Sequence, residues 1–77
     1  MQIDKIKTKF NIGEKVYFLH NDSITSGKIY LIEINLTVFN GTIIREIYYK
    51  IADINDRFIG TFTEELLYES ELELITG

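Results

Sequence analysis

His20 is the only histidine of the 77-residue chain, and histidine is the side chain best suited to acid–base chemistry near neutral pH. It is followed directly by Asn21 and Asp22. A histidine that acts as a general base needs a nucleophile, together with an acid that orients its ring. Asp22 meets the second requirement, but no serine motif or glycine elbow supplies the first. We therefore interpret His20 as a surface histidine in a turn.

Carboxylates are the second candidate for acid–base work. Glu33 and Glu46 fall on one face of a predicted hairpin, in which Tyr48 stands opposite Glu33 and Asn35 stands opposite Glu46. The two acids are then diagonal neighbours on this face, and both are solvated. Metal sites are restricted too, because the chain has no cysteine and one histidine. We expect no catalytic residue, no metal and no cofactor, and so a protein that is not an enzyme.

The net charge of −4 is unevenly distributed, with lysines near the start of the chain and glutamates crowding its end. Proteins that bind nucleic acid usually present a basic face, because phosphate contacts dominate their affinity. The acidic balance of this chain argues against nucleic acid as its partner. A local basic patch with two stacking tyrosines is the alternative. The residues of such a site are Lys5, Lys7, Lys9, Tyr17 and Tyr48.

Length and composition predict one small domain over residues 1–77. A chain of this size hides only about 60% of its unfolded surface, so its core is small. With 45% apolar residues the chain is too hydrophobic for a disordered segment. No apolar run follows the first lysines, so we expect neither a signal peptide nor a membrane helix. We expect a cytoplasmic protein.

The elements that position these side chains are clearest around the dipeptide Asn40-Gly41. A type I′ turn needs positive φ at both central residues, which Asn-Gly adopts readily. This turn pairs Phe39 with Thr42, and the register carries back until Tyr30 stands opposite Ile51. Since side chains alternate across a strand, one face of the hairpin is almost wholly apolar. It consists of Tyr30, Ile32, Ile34, Leu36, Val38, Ile43, Arg45, Ile47, Tyr49 and Ile51.

Arg45 is the one charged residue on this apolar face. We expect it to lie near the hairpin tip and to reach water past Leu36. The alternative is that the tip, residues 36–45, projects beyond the domain as an exposed arm. Exposed apolar patches on small domains usually mark partner contacts.

The opposite face of the hairpin carries further apolar and aromatic residues. We expect the N-terminal segment or the C-terminal turn to cover Leu31 and Ile44. Tyr48, with Tyr17 adjoining, is equally compatible with an interface and with a second layer of core, because tyrosine is common in both settings. The candidate partner-binding residues are Tyr17, Phe39, Ile44, Arg45 and Tyr48.

Shorter strands flank the hairpin. Gly13 predicts a turn into a first strand, and residues 21–23 predict a tight loop that leads into the second. Gly27 predicts a bulge or a sharp bend, since glycine inside a strand pattern often marks one. A turn over 55–57 precedes a short strand over 58–62.

The C-terminal end carries two helix-start signals. Thr61 or Thr63 can cap one helical turn, and Ser70 can cap another, each followed by acids that the helix dipole favours. The alternation of Leu72 and Leu74 with glutamates is equally compatible with a closing strand.

Two segments of the chain resemble the opening of SH3-like small barrels of the Tudor and KOW kind, in which a "G-[DE]-x-V" strand precedes a "G-x-[IV]" strand. They read Phe10-x-Ile12-Gly13-Glu14-Lys15-Val16-Tyr17-Phe18 and Ile24-x-x-Gly27-Lys28-Ile29. The resemblance implies an all-β fold: a small bent five-stranded SH3-like barrel with a long central β-hairpin and a short C-terminal helical turn. The tail, residues 65–74, resembles the ending of short phage or mobile-element proteins from low-GC bacteria.

These observations lead us to expect a non-enzymatic interaction module that binds another protein. A phage or mobile-element accessory factor fits the size and the acidity, because an acidic tail can compete for a basic surface of a host protein. The alternatives are a nucleic-acid-binding Tudor- or KOW-like module, and a self-associating subunit whose edge strands or hairpin arms pair between copies.

Overall fold

A computed structural model describes residues 7–77, and its secondary structure is mostly β. The four strands are β1 (Lys15–His20), β2 (Ser23–Phe39), β3 (Thr42–Ala52) and β4 (Phe58–Thr63). They form one antiparallel sheet in which each strand pairs with the next along the chain. A 3₁₀ turn (Glu64–Leu66) and a short helix, α1 (Glu71–Thr76), follow β4. The expected all-β class and the C-terminal helical turn are therefore confirmed.

The chain returns to β1 after the 3₁₀ turn. The backbone N–H of Tyr17 donates to the carbonyl oxygen of Tyr68 at 2.8 Å, and the N–H of Tyr68 donates back at 2.9 Å. This pairing is an isolated bridge. In the part of the chain that the structure describes, the sheet thus has four strands, and the Tyr17–Tyr68 bridge lies outside the named strands.

The turns of the first two hairpins each contain two residues with positive φ. Asn40 and Gly41 have φ values of 49° and 76°, as the predicted type I′ turn requires. Asn21 and Asp22, between β1 and β2, have φ values of 52° and 62°. Asn and Asp enter this left-handed region more readily than other side chains do. The two predicted turns are therefore confirmed.

The predicted register of the long hairpin holds from the tip as far as Leu31, which stands opposite Lys50. The register then shifts at Tyr30, so that Ile29 stands opposite Ile51. The predicted pairing of Tyr30 with Ile51 is wrong for this reason. The extra residue of the bulge turns Ile29 into the core, whereas Tyr30 is 45% exposed.

The core lies on one face of the sheet, which we name the inner face. Phe10 from the N-terminal segment and Leu67 from beyond the 3₁₀ turn pack against this face. The rings of Phe18 and Phe62 lie 4.5 Å apart between centroids. The buried cluster consists of Phe10, Val16, Phe18, Ile29, Tyr49, Ile51 and Leu67, and the side chains packed against it are Ile32, Ile47, Ile59 and Phe62.

Gly27 is required by the close approach of β3 and does not mark the predicted bulge. Strand pairing continues through Gly27, which stands opposite Val16, and the bulge lies at Tyr30 instead. A Cβ at position 27 would lie 2.9 Å from the carbonyl oxygen of Ala52 and would collide with the Ile51 side chain. Both neighbours are buried, so neither can move aside easily.

The end of the chain is helical because Ser70 caps it. The Ser70 Oγ accepts a hydrogen bond from the backbone N–H of Glu73 at 3.1 Å. Of the two predicted structures for Leu72 and Leu74, the helix is therefore the one observed. Thr63 occupies the N-cap position of the 3₁₀ turn, although its side chain makes no capping bond. Within residues 7–77, no helix is long and apolar enough to cross a membrane.

We expect Gly27→Ala to destabilise the fold by about 2 kcal/mol or more, because the added methyl group meets backbone and a buried side chain. Urea denaturation followed by circular dichroism measures this loss. Ser26→Ala, the neighbouring position on β2, is the control and should change stability by less than about 0.5 kcal/mol. Equal stability of Gly27→Ala and the wild type would show that β3 can move away from β2.

Candidate functional site: the hairpin arm and its base

The distal half of the long hairpin projects beyond the neighbouring strands. β1 pairs with residues 23–28 of β2, and β4 pairs with residues 48–52 of β3. Residues 33–46 lie beyond both pairings, and all of them are exposed. We name residues 33–46 the arm. At about 3.3 Å per residue, each of its strands spans roughly 20 Å.

Six large apolar side chains are exposed on the arm. Their exposed fractions range from 38% for Ile34 to 71% for Val38. Cross-strand pairing places four of the six on the inner face and two on the outer face. The inner-face residues are Ile34, Leu36, Val38 and Ile43, and the outer-face residues are Phe39 and Ile44.

Two structures were considered for the hairpin tip, and the projecting arm is the one observed. Arg45 stands directly opposite Leu36, and residues 36–45 are exposed throughout. The tip therefore projects, and the buried or partly buried residues of the apolar face lie in the half next to the core. They are Ile32, Ile47, Tyr49 and Ile51. The expectation that Leu31 and Ile44 are covered is wrong, because 39% and 42% of these side chains are exposed.

Four of the five candidate partner-binding residues lie along the arm or at its base, with Phe39, Ile44 and Tyr48 on the outer face and Arg45 on the inner face. Phe39, Ile44 and Arg45 lie on the arm, and Tyr48 lies at its base. Tyr17 does not adjoin them, because it stands opposite Ser26, whereas Tyr48 stands opposite Glu33. The seven positions between Ser26 and Glu33 along β2 correspond to roughly 20 Å.

Of the residues considered as alternatives, Lys9 lies beside Glu64 at the base of the arm, and His20 stands opposite Ser23 at the far end of β2. Lys5 falls outside the described residues, and Lys7 and Lys9 are exposed in the N-terminal segment. His20 is exposed at the end of β1, with its ring edge-on to Phe18 at 6.5 Å. In residues 7–77, no group of three His, Asp or Glu side chains is arranged to hold a metal ion.

A cleft of about 280 Å³ opens at the base of the arm, between β3 and the 3₁₀ turn. The Tyr48 hydroxyl donates to the Glu46 Oε2 at 2.6 Å. This hydrogen bond and the charge of Glu46 raise the pKa of Tyr48 above its usual value. The cleft is acidic, since three of its lining residues are glutamates and one is an arginine. It is lined by Arg45, Glu46, Ile47, Tyr48, Thr63, Glu64 and Glu65.

Tyr49 joins the base of the arm to the N-terminal segment. Its hydroxyl donates to the Glu64 Oε1 at 2.6 Å, and the backbone N–H of Lys9 donates to the same oxygen at 2.8 Å. The N–H of Phe10 donates to the Tyr49 hydroxyl at 3.4 Å, while the two rings meet edge-on at 5.6 Å. Burial and the Glu64 hydrogen bond raise the pKa of Tyr49 to about 12. Three segments distant in sequence thus meet at one carboxylate.

Sequence reasoning placed Tyr49 on the apolar face and Glu64 in a helical turn, but it missed their contact. The available signal was a tyrosine at the centre of an apolar row, because a buried tyrosine hydroxyl needs a polar partner. The identity of that partner is a tertiary property, since Glu64 lies 15 positions away.

A second cleft, of about 480 Å³, lies at the end of the sheet opposite the arm. Two lysines and two aspartates line it, so its charges balance. The Asp53 Oδ1 accepts hydrogen bonds from the backbone N–H groups of Asn55 and Arg57, at 2.8 and 2.9 Å. Asp53 thereby holds the predicted turn over 55–57. The cleft is lined by Lys15, Ser26, Gly27, Lys28, Asp53, Ile54 and Asp56.

The sequence matches no protein-family model, and neither a curated protein nor a solved structure matches it.

We expect the difference in stability between the wild type and Tyr49→Phe to shrink as the pH rises from 10 to 12. The raised pKa means that folding keeps this hydroxyl protonated, so its contribution is complete below pH 10, the pKa of an unfolded tyrosine. The contribution is lost as the pH passes through the folded pKa of about 12. The total loss is about 2–3 kcal/mol.

Urea denaturation of both proteins at several pH values measures this difference. Below pH 10, Tyr49→Phe should be less stable by about 1–3 kcal/mol, because it lacks the bond to Glu64. A difference that does not depend on pH would show that the Tyr49 hydroxyl is accessible to water in the folded protein.

Proposed function

We propose that this chain is a small non-enzymatic interaction module that binds another protein through the arm. The observation that supports the proposal is the exposure of six apolar side chains on a two-stranded ribbon. An isolated two-stranded ribbon is marginally stable in water. Monomeric proteins rarely expose apolar patches larger than a few hundred Å², and larger patches mark contact sites. A partner that covers the arm accounts for both features.

The charges of the arm favour a protein partner over nucleic acid. Arg45 is the single basic residue of residues 33–46, and it is accompanied by Glu33 and Glu46. At the base of the arm, Glu64 and Glu65 add two further carboxylates. Phosphate groups approaching this surface would meet more negative than positive charge, which weakens nucleic-acid binding.

We also propose that the domain is a small SH3-like barrel of the Tudor or KOW kind. The path of the chain supports this architecture, because β4 leads through the 3₁₀ turn back to β1. The paired hydrogen bonds of Tyr17 and Tyr68 then represent the fifth strand in its shortest form. The strong bend of such a barrel fits the two register shifts that flank Ile51, one in each of its neighbouring strands.

The proposed setting is the cytoplasm of a low-GC bacterium, where the chain acts as an accessory factor of a phage or mobile element. The acidic residues that follow β4 would compete there for a basic surface of a host protein. This setting is supported by the size, by the net charge of −4 and by the resemblance of residues 65–74.

The experiment that tests the proposal compares the proteins that the wild type and two double variants capture from a bacterial lysate. Each double variant adds one positive and one negative charge, so the net charge of the chain is unchanged. Val38→Lys with Ile43→Glu replaces an exposed cross-strand pair at the tip of the arm. The matched control is Leu72→Glu with Ile75→Lys, which replaces two equally exposed apolar residues on α1. Nuclease treatment and mass spectrometry identify proteins whose capture does not depend on nucleic acid.

We expect the arm variant to lose the captured protein at least tenfold and the α1 variant to retain it. Such a loss corresponds to about 1.4 kcal/mol, less than the burial of one large aliphatic side chain contributes. Equal capture by the wild type and the arm variant would contradict the proposal. Capture that disappears with nuclease would point to nucleic acid as the partner.

A further inference from the structure

The two long edges of the arm differ in charge. Residues 34–39 of β2 contain no charged residue, no proline and no glycine. The β3 edge carries Arg45 and Glu46, and it continues into the acidic cleft with Glu64 and Glu65. An approaching strand therefore meets an uncharged edge on β2 and a charged edge on β3.

Within residues 7–77, the β2 edge is also open. Among residues 7–77, no strand pairs with residues 31–39 on the side away from β3. In the described residues, the last backbone hydrogen bond on that side runs from the N–H of Gly13 to the carbonyl oxygen of Ile29, at 2.7 Å. An open edge presents unpaired N–H and C=O groups, and proteins usually protect it with lysine, proline or a bulge. None of these devices occurs between Ile34 and Phe39.

We infer that the β2 edge of the arm pairs with the same edge of a second copy of this chain. The strands run antiparallel, with the twofold axis at Leu36, the centre of residues 33–39. This inference rests on the proposed function only in treating the arm as a contact surface.

The sequence of the edge is complementary to itself in this register. On the inner face, Leu36 meets the second Leu36, and Ile34 stands opposite Val38. On the outer face, Asn35 stands opposite Thr37. Within residues 34–38, apolar residues thus face apolar residues and polar residues face polar residues, which is the arrangement that stabilises cross-strand pairs. At each end of the contact Glu33 stands opposite Phe39, so no charge meets a like charge.

Self-pairing would also stabilise the arms of both copies at once. Each arm alone is a two-stranded ribbon, which is marginal in water, and three or more strands are needed for independent stability. Pairing β2 with a second β2 converts two such ribbons into one four-stranded sheet. The contact is isologous: the same edge of each copy pairs with that edge of the other. The backbone groups of both edges are then hydrogen-bonded, and the assembly closes as a dimer.

The β3 edge is unsuited to the same role. β4 already pairs with residues 48–52 of β3, and the acidic cleft lies beside the remainder. Two copies joined along β3 would bring their glutamates Glu46, Glu64 and Glu65 towards one another, which opposes association.

We expect a weak dimer, because about seven residues per copy form a contact smaller than the usual interface of about 800 Å² per partner. A dissociation constant of about 1–100 µM corresponds to such a contact. Sedimentation velocity across a concentration series that spans this range measures the equilibrium. A wild-type chain that stays monomeric throughout the series would overturn the inference.

Two double variants test the register. Asn35→Lys with Thr37→Lys places lysine opposite lysine in the dimer, so dimerisation should weaken at least tenfold and should partly recover in high salt. Asn35→Lys with Thr37→Glu places opposite charges at the same two positions, and this variant should dimerise as well as the wild type. Both positions are exposed in the single chain, so both variants should fold. Equal weakening, or no weakening, of the two variants would contradict this register.

A disulfide test locates the twofold axis independently. The chain has no cysteine, so each single variant carries one thiol. Leu36→Cys places two thiols opposite each other across the axis, within the Cα separation of about 4.4–6.8 Å that a disulfide needs. Ile43→Cys is the control, since it is equally exposed on the same arm but lies on the outer strand of the proposed four-stranded sheet. Equal cross-linking of the two variants would overturn the inference.

The outcomes separate this inference from the proposed function. A monomeric wild type whose captured protein is still lost in Val38→Lys with Ile43→Glu would overturn self-pairing and leave the arm as a binding surface. A dimer that responds to the lysine pair, combined with unchanged capture by the arm variant, would support self-pairing and contradict the binding of another protein.

Discussion

The unequal lengths of the strands are the constraint on which the rest of the structure depends. β2 and β3 have 17 and 11 residues, whereas β1 and β4 have six each. The short strands, together with Phe10 and Leu67, can cover only the part of the hairpin that they reach. Hydrophobic burial is proportional to the apolar area removed from water, so this half of the hairpin holds the core. The other half is an arm with apolar residues on both faces.

The small core is completed by one polar contact. Tyr49 is at once a buried member of the apolar cluster and the donor to Glu64, whose carboxylate also accepts the N–H of Lys9. In a domain that buries few side chains and has no cysteine for a disulfide, such a contact joins the N-terminal segment, β3 and the 3₁₀ turn. Hydrogen bonds to charged groups contribute about 1.5–3 kcal/mol, a large share of the net stability of a small domain. The base of the arm is therefore anchored even though its tip is exposed.

The proposed function depends on this division between a packed body and an exposed arm. The body supplies a fixed base, and the arm supplies apolar faces and an uncharged edge that a single chain leaves in water. Faces and edge are different kinds of surface: side chains pack on a face, whereas backbone groups pair along an edge. Self-pairing along β2 would leave the faces of the arm available for another protein, so the two proposed contacts are compatible.

The sequence by itself determined the features that depend on neighbouring residues. The turn at Asn40-Gly41, the register as far as Leu31 and the Ser70 cap each follow from dihedral preferences or from a hydrogen bond over a few positions. Only the tertiary structure decided the bulge at Tyr30, the partner of the Tyr49 hydroxyl and the extent of burial along the hairpin. The alternation of apolar residues is identical in the buried and exposed halves. What separates them is the reach of β1, β4 and the terminal segments, and that reach is set by contacts between residues distant in sequence.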